Sequence, residues 1–468
     1  MTDTLVETPE EEAEETGLGE DDRLKPEFIE QVVATLDDGN SDSTRDLVGR
    51  LHPADIADLF EQIDADRRGD LALAVAEILD GEVLAEMNDF VRERLVDELE
   101  NAQVADLAAA LDTDDAVAII EDMEVEDQRE VLRALEPDDR AAIEEALGYP
   151  EETAGRLMQR ELVAVHENMT VGDVIDYLRD QTELTTDFLE IFVVDPAHRP
   201  VGTCALSWIL RTPRNFAIAD VMKREQTLIP VDMDQEEVAL KFQKYGLVSA
   251  AVIDASGRLV GMITVDDIVD IIAEEAGEDI LRLSGAGEGD INEPIAEAYS
   301  SRVRWLVANL GTALVASGII ALFGAAIEEM VALAVLMPIV ASIGGNAGTQ
   351  TMAVAVRALA INELTRSNTW RTIRHELAVA ILNGATIAVL IGIGAGLVFS
   401  NPALGGVIAV AMLVNIIVAG MAGVFVPVTL ERMGQDPAVA SSVFVTMITD
   451  SMGFFAFLGL AVAAGLVG

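Results

Sequence analysis

One acid inside a long apolar segment is the residue of this sequence best suited to cation chemistry. Asp450 is flanked by apolar stretches at 443–449 and 451–457. A carboxylate at bilayer depth costs about 2.5–3.5 kcal/mol on insertion scales, so by default it is functional and faces a bundle interior or water. A second polar feature, the glycine-rich run 338–350, lies in another apolar segment. We expect this run to break its helix, because backbone released within a bilayer usually lines a pathway. Together the two features predict a cation pathway.

Five apolar segments must position these residues. They span about 303–327, 330–359, 373–399, 404–430 and 438–467, and each is long enough to cross a hydrocarbon layer of about 30 Å. Seven arginines precede the first segment or lie at the second and fourth loops: Arg302, Arg304, Arg357, Arg366, Arg371, Arg374 and Arg432. Because basic residues favour the cytoplasmic side, we expect a multi-pass protein of the cell membrane with a cytoplasmic N-terminus and an extracellular C-terminus.

The number of segments bears on the assembly. Five helices are few for a self-contained pore, so we expect a homodimer with the pathway near its two-fold axis and Asp450 present twice. Paired carboxylates in a narrow, wet site suit Mg²⁺, which typically takes one or two of them. Carbonyl and amide oxygens are expected from Gly345, Asn346, Thr349 and Gln350. The alternatives are simple helix packing for the glycines and a structural partnership for Asp450.

Charge divides the chain into two halves. From Ser300 onward seven arginines balance seven acids, so the whole net charge of −52 lies in residues 1–299. The chain has only four lysines beside its arginines, a composition that fits a halophilic protein with a solvated acidic surface. Such a field repels nucleic acid and attracts divalent cations, so we exclude nucleic acid as a partner. One cysteine and four scattered histidines offer no thiolate or histidine metal site, and we find no enzyme motif.

The first part of the soluble half is a run of short amphipathic helices. Residues 51–59 resemble residues 102–110, and leucine and alanine recur at helical spacing between acidic turns. This pattern is typical of an α-solenoid whose helix faces pack together. The segment before it is acidic and has no apolar core, so it reads as a disordered tail rather than a signal peptide.

From Thr153 short strands alternate with helices, and the pattern occurs twice. The first copy includes 170–178, 191–195 and 200–202, and the second includes 234–240, 251–254 and 259–261. These copies resemble a tandem pair of CBS domains, a regulatory module that often senses adenine nucleotides. The second copy continues into a helix on which Asp267, Asp270, Glu274 and Glu278 share one face. Like charges at this spacing repel mildly unless cations screen them, although halophilic surface decoration is the alternative.

The order of these pieces resembles the MgtE family of magnesium channels and transporters over roughly residues 24–468. The motif P-x-x-x-x-x-G-G-N-x-G-x-Q is present at 338–350. Residues 149–158 resemble the family's junction before the CBS pair, and 436–441 resemble the opening of its last helix. The family often has Gly-Asn-Gln where this chain has Gly348-Thr349-Gln350, a difference that bears on outer coordination and ion preference.

The resemblance implies a homodimer that conducts Mg²⁺ past Asp450 and is gated by cytosolic Mg²⁺ bound among carboxylates. Carried over position by position, the gating acids are Asp234, Asp267, Asp270, Glu275, Glu278, Asp279 and Asp436, with Asp106 as a weaker assignment. At low Mg²⁺ these acids are expected to repel one another and open the pore, and at high Mg²⁺ the ion is expected to bridge them and close it.

The expected fold class is a multi-domain membrane protein: an all-α superhelical N-domain, α/β tandem CBS domains, a connecting helix and a five-helix α transmembrane domain. The expected bounds are an acidic tail at 1–23, the N-domain at 24–150, the CBS pair at 151–275, the connecting helix and linker at 276–300, and the pore domain at 301–468. The expected partners are Mg²⁺ as transported ion and regulator, a second copy of the chain, the lipid bilayer, and ATP or another adenine nucleotide at the CBS pair.

Two alternatives stay open. Within transport, the protein is a broader carrier of Mn²⁺, Co²⁺ or Ca²⁺, or an exchanger driven by Na⁺ or H⁺. From another class, it is a nucleotide-sensing CBS membrane receptor whose helices only anchor it. An anchor has no need of an acid within the bilayer, so the sequence favours transport.

Overall fold

The computed structural model describes residues 17–19, 23–180, 188–286, 289–364, 367–439 and 441–467. Most of the predicted acidic tail lies outside the described residues, as does Arg366, on which part of the orientation prediction depends. The chain divides into two compact units, Met1–Ala273 and Glu274–Gly468. Each unit is described by itself below.

The first unit begins with ten short α-helices in the described residues. They are α1 Pro26–Asp37, α2 Ser41–Val48, α3 Pro53–Gln62, α4 Arg68–Val75, α5 Gly81–Ala85, α6 Asp89–Glu98, α7 Asn101–Ala108, α8 Thr113–Ile120, α9 Val125–Ala134 and α10 Pro137–Ala146, with a 3₁₀ turn at Ala65–Arg67. Polar residues start several of them, since Asn40, Asp80 and Asn88 accept hydrogen bonds from first-turn amides. The apolar faces of these helices share one continuous core that extends from Leu24 to Ala146.

Two similar α/β repeats follow. Their elements are α11 Ala154–Leu157, β1 Ala164–His166, α12 Val171–Asp180, β2 Glu190–Val194, β3 Pro200–Ala205, α13 Leu206–Arg211, α14 Ile218–Val221, β4 Leu228–Pro230, α15 Gln235–Tyr245, β5 Ser249–Ile253 and β6 Leu259–Thr264. In each sheet the first strand pairs parallel with the second, which pairs antiparallel with the third. Phe192 and Met262 belong to a small apolar cluster that includes buried residues of both sheets.

A long helix, α16 Val265–Ser284, leads out of the second repeat. The second unit then contains α17 Ile295–Leu322, α18 Gly324–Glu329, α19 Val331–Ala360, α20 Thr369–Val398, α21 Pro402–Arg432 and α22 Ser441–Ala463. Five of these, all but α18, are long and apolar enough to cross a membrane. The most buried is α21, which packs against α19, α20 and α22, whereas α17 packs against α22. The predicted fold class is confirmed in its four parts.

The predicted helix break at 338–350 is wrong. Helix α19 is continuous from Val331 to Ala360 and contains Pro338. A proline removes one backbone hydrogen bond without ending a transmembrane helix when neighbouring helices support it. Glycine occurs both where helices break and where helices pack closely together. Here Gly344 and Gly348 are buried against neighbouring helices, so they serve packing.

Candidate functional site

Helix α22 carries Asp450 near its middle. The residue is half-buried in the single chain, and within the described residues its carboxylate has no hydrogen-bond or ion-pair partner. Directly before it, Thr449 is fully buried. An unpaired acid at this depth is tolerated where it meets water, an ion or a second protein surface.

Helix α19 presents a polar stripe to the outside of the single chain. Ser342, Asn346, Thr349 and Gln350 recur at helical spacing and are exposed. The Thr349 hydroxyl donates to the Gly345 carbonyl at 3.0 Å, so that carbonyl already has a side-chain partner. Amides do not favour lipid, and the stripe therefore needs an aqueous path or another protein surface against it.

Glycines bring this helix against the Asp450 helix. A side chain at Gly348 would lie 2.6 Å from Val445 and 3.3 Å from the Thr449 methyl, both on α22. A side chain at Gly423 of α21 would lie 2.8 Å from the Gly348 carbonyl. Helices α19, α21 and α22 thus pack closely at the level of Thr449, the residue before Asp450.

In the first unit an acidic face forms between helix α8 and the start of α16. Asp112, Asp114 and Asp115 stand at the N-terminus of α8, and their charges act on Asp267 of α16 and its neighbour Asp266. One carboxylate oxygen of Asp114 is enclosed and has no hydrogen-bond partner within the described residues. We call Asp112, Asp114, Asp115, Asp266 and Asp267 the α8–α16 acid face.

The acid face is strained electrostatically. Burial, followed by the carboxylate of Asp267, raises the pKa of Asp115 to about 6 from 3.8. Burial also raises the pKa of Asp267 to about 6, although its carboxylate accepts a hydrogen bond from the Thr264 hydroxyl at 2.7 Å. Burial and these two neighbours raise the pKa of Asp114 well above its ordinary range. Protons or cations therefore stabilise the face, and bare charge destabilises it.

Polar side-chain contacts hold helix α8 in place beside this face. The Glu161 carboxylate accepts hydrogen bonds from the Thr113 amide at 3.1 Å and from its hydroxyl at 2.8 Å, at the first turn of α8. At the other end of α8, Arg156 approaches Glu121 at 3.5 Å. Helix α8 is thus held by polar contacts at both ends, while the carboxylates of the acid face repel one another at its first turn.

In the second unit an arginine sits among the predicted gating acids. Arg282 donates to the Asp436 carboxylate at 2.9 Å and also pairs with Glu278. Burial, then the carboxylates of Asp436 and Glu275, raises the pKa of Asp279, against the opposing effect of Arg282. The end of α16 is therefore tied to the loop that precedes α22.

The remaining predicted ligands are arranged differently. Asp234 caps α15 by accepting from the Glu236 amide at 3.0 Å, and Asp270 acts on Glu86 rather than on α8. Asp106 is exposed and lines a cavity in the helical domain with Asp70 and Glu98. Within the described ranges no three acids or histidines stand close enough to hold a metal ion together.

A cavity of about 650 Å³ opens between the two α/β repeats. Lys223, Lys241 and Tyr245 line it together with Glu190 and Glu225. The ammonium of Lys244 lies 5.5 Å from the centre of the Tyr245 ring. Three of the chain's four lysines are therefore at or beside one cavity.

Sequence reasoning missed two groups of residues. The run Asp112–Asp115 looked like an ordinary acidic helix start, which the helix dipole favours, in a chain with acids throughout. Asn415 was also missed, although an amide inside the apolar segment 404–430 is a signal that sequence reasoning can use. Its amide contacts α19 and α22, as described below.

Known proteins match the chain along most of its length. Family models match the MgtE intracellular N domain at 51–152, CBS domains at 154–206 and 218–274, and a divalent cation transporter domain, MgtE, at 337–460. The magnesium transporter MgtE of Thermus thermophilus is 30% identical over 94% of this chain and 98% of its own length. The chain belongs to the MgtE family. The magnesium transporter MgtE of Bacillus subtilis is 28% identical over 93% of this chain and 97% of its own length. The magnesium transporter MgtE of Enterococcus faecalis is 34% identical over 68% of this chain and 70% of its own length.

A solved structure of an MgtE cytosolic domain also resembles this MgtE-family chain. It is the cytosolic domain of the Mg²⁺ channel MgtE in complex with ATP, with 27% identity and a TM-score of 0.48 over 52% of this chain and 99% of that one. The α/β repeats of the present chain are CBS domains, and the five long helices make it a multi-pass membrane protein.

Proposed function

We propose that this MgtE-family chain carries Mg²⁺ across the cell membrane as a homodimer, with Asp450 in the ion pathway. The observation that carries the proposal is the half-buried carboxylate of Asp450 in the middle of α22, which has no partner among the described residues and lies beside the glycine contacts with α19. Relatives that match nearly their whole length are named as magnesium transporters. A hard cation with oxygen ligands fits this chemistry better than a soft one.

The homodimer follows from exposed polar and apolar surface. In the single chain the Ser342–Asn346–Thr349–Gln350 stripe is uncovered, and α17 exposes Leu306, Val307 and Leu310. A second copy placed against the stripe gives its amides a protein or aqueous environment and sets two Asp450 carboxylates near one axis. With the arginines inside, the N-terminus is cytoplasmic and the C-terminus extracellular.

Regulation by cytosolic Mg²⁺ completes the proposal. The acids of the α8–α16 face repel one another, and Asp279 stands among Asp436 and Glu275. Both groups include residues of the same continuous helix, α16. At high Mg²⁺ the ion draws these carboxylates together and the pore closes, and at low Mg²⁺ their repulsion favours the open state. Gating acids at Asp234 and Asp106 remain predictions.

Mg²⁺ uptake into liposomes tests the pathway. Asp450→Asn should reduce flux at least tenfold while the purified protein still elutes as the wild-type dimer. Glu363→Gln is the matched control, because it removes one exposed acid of the same half outside the long helices. Wild-type flux and selectivity in the Asp450→Asn protein would remove Asp450 from the pathway. Competition by Mn²⁺, Co²⁺ and Ca²⁺, and reversal potentials under Na⁺ or H⁺ gradients, separate a Mg²⁺ channel from a broader carrier or an exchanger.

We also propose that an adenine nucleotide binds the cavity between the CBS repeats. A cavity of about 650 Å³ with Lys223, Lys241 and Tyr245 offers two cations for phosphates and an aromatic ring for a base. Lysines are scarce in this chain, so their collection at one cavity favours an anionic ligand. Lys241 is paired with Glu237 at 2.6 Å, which leaves Lys223 as the better phosphate partner.

Titration calorimetry of the full-length protein with ATP tests this second proposal. Lys223→Gln should weaken ATP binding about tenfold, the effect of losing one charge-assisted hydrogen bond. Lys25→Gln is the matched control, since Lys25 is the chain's lysine farthest in sequence from the CBS repeats. Equal affinity in the Lys223→Gln and wild-type proteins would refute the assignment. If ATP binds but the wild-type protein carries no Mg²⁺ flux, the nucleotide-sensing receptor becomes the better description.

A further inference from the structure

Asn415 is a fully buried amide in the middle of α21. Its Nδ2 donates to the carbonyl of Val340 on α19 at 3.0 Å. Its Oδ1 has no hydrogen-bond partner in the part of the chain that the structure describes. An apolar side chain would avoid the cost of an unpaired buried oxygen, so the amide at this position needs a further reason.

Two glycines on two other helices form the space that Asn415 occupies. A Cβ atom on Gly344 of α19 would lie 2.2 Å from the Asn415 Nδ2, and one on Gly453 of α22 would lie 2.7 Å from the same atom. Both distances are far inside van der Waals contact. A methyl group at either position would therefore displace the Asn415 amide or the helix that carries it.

The two glycines flank the residues assigned to the ion pathway. Gly344 comes directly before Gly345-Asn346, and Gly453 follows Asp450 by three residues, slightly less than one helical turn. The Asn415 side chain therefore touches the buried face of α19, which lies opposite its polar stripe, and it also touches the Asp450 helix. A side chain held by two backbones and one hydrogen bond has little freedom to move.

We propose that Asn415 is a positioning residue that fixes the spacing of α19 and α22, and so places the Asp450 carboxylate relative to the polar stripe of α19. The inference rests on the proposed role of Asp450 in the pathway. Asn415 does not touch the ion. It sets the geometry in which the oxygens of the two helices share one hydrated cation.

Three variants of the full-length protein in liposomes test the inference, each normalised to folded dimer. Asn415→Ala removes the amide and should raise the half-saturating Mg²⁺ concentration severalfold, because the two helices lose the contact that sets their spacing. It should also lower the preference for Mg²⁺ over Ca²⁺. Gly344→Ala places its methyl group onto the retained amide and should abolish transport. The double variant Asn415→Ala/Gly344→Ala has room for that methyl group, and its flux should exceed that of Gly344→Ala alone.

Matched glycines supply the control. Gly453→Ala should fail as Gly344→Ala does, whereas Gly459→Ala, on the same helix, should transport normally because its Cβ would meet only ordinary contact with Phe323 at 3.9 Å. A purely structural role would lower the thermal stability of Asn415→Ala and leave half-saturation and ion preference unchanged per folded dimer. That result would overturn the inference, as would a double variant no better than Gly344→Ala.

The inference and the proposed pathway fail in different ways. Asp450→Asn is measured in the same liposomes. If its flux is unchanged, the pathway assignment fails, and the positioning role fails with it. If Asp450→Asn blocks flux but Asn415→Ala keeps the wild-type half-saturation and ion preference, only the positioning role fails.

Discussion

Neutralising Asp267 should stabilise helix α8, and the gain should depend on pH. Asp267 has a pKa of about 6 in the folded chain against 3.8 for an ordinary aspartate. The folded state therefore binds the proton more tightly than the unfolded state. The stability that this bound proton contributes is fully present below pH 3.8 and falls as the pH rises between these two values. Above pH 6 the contribution, about 3 kcal/mol, is lost.

The structure gives the size of the effect over a practical pH range. Between pH 5 and pH 7.5 the folded Asp267 loses its proton while an unfolded aspartate is already ionised at both values. This difference corresponds to a change of about tenfold in the folding equilibrium. Asp267→Asn keeps an oxygen for the Thr264 hydroxyl and removes the charge. Its stability advantage over the wild-type chain, expressed as a ratio of folding equilibrium constants, should therefore be about tenfold larger at pH 7.5 than at pH 5.

Hydrogen exchange of the α8 amides measures this advantage in the intact protein at constant KCl and without divalent cations. At equal pH, intrinsic exchange rates cancel between the two proteins, and the ratio of protection factors should rise about tenfold from pH 5 to pH 7.5. Added Mg²⁺ at pH 7.5 should protect wild-type α8 more than α8 in the Asp267→Asn protein, because the bare charges it neutralises are fewer there.

The control is an acid whose pKa is shifted in the opposite direction. Hydrogen bonds from the Arg258 amide and Ser256 lower the pKa of Asp254. Asp254→Asn should destabilise its turn by the same amount at pH 5 and pH 7.5, since the folded carboxylate is ionised at both. A protection ratio for Asp267→Asn that stays flat with pH would refute the argument that α8 is held against a repulsive acid face.

Three further outcomes follow from the described contacts. Arg282→Gln frees the carboxylates of Asp436 and Glu278 for a cation, so Mg²⁺ should close the pore at severalfold lower concentration in flux assays. Closure at a higher concentration would contradict this prediction. Glu161→Ala removes two charge-assisted hydrogen bonds to Thr113 and should cost the α8 helix about 1.5–3 kcal/mol, read from hydrogen exchange. Asn346→Cys should join two chains through a short thiol-specific cross-linker, because native Cys204 is buried and the proposed homodimer places the stripe against the second copy. Recovery of only single chains would contradict the proposed homodimer.

The sequence predicted the architecture because the architecture follows from patterns of period and length. Five segments near 20 apolar residues or more became five helices, and two copies of the strand–helix–strand pattern became two matching sheets. The first membrane helix starts at Ile295 rather than near 303 because its helical hydrogen bonding begins in the polar residues before the apolar stretch.

The sequence could not separate two uses of glycine. Gly344 and Gly348 fit both a broken helix and a packed one, and only the partners on α21 and α22 decide between them. It also could not show which acids meet, since acids are spread over the whole soluble half. Asp112–Asp115 and Asp267 lie about 150 residues apart and come together through tertiary packing. Asp106, equally acidic, lies in a different groove.

The unbroken course of α19 limits how an ion is selected. In a continuous helix the peptide oxygens are already engaged, and the Gly345 oxygen has Thr349 as well. An ion at the stripe cannot exchange its inner coordination shell for main-chain ligands, as K⁺ does in a carbonyl-lined filter. If the proposed pathway runs along this face, water and the side-chain oxygens of Asn346, Thr349 and Gln350 are the ligands open to the ion, so the size of the partly hydrated ion should rank the permeant ions.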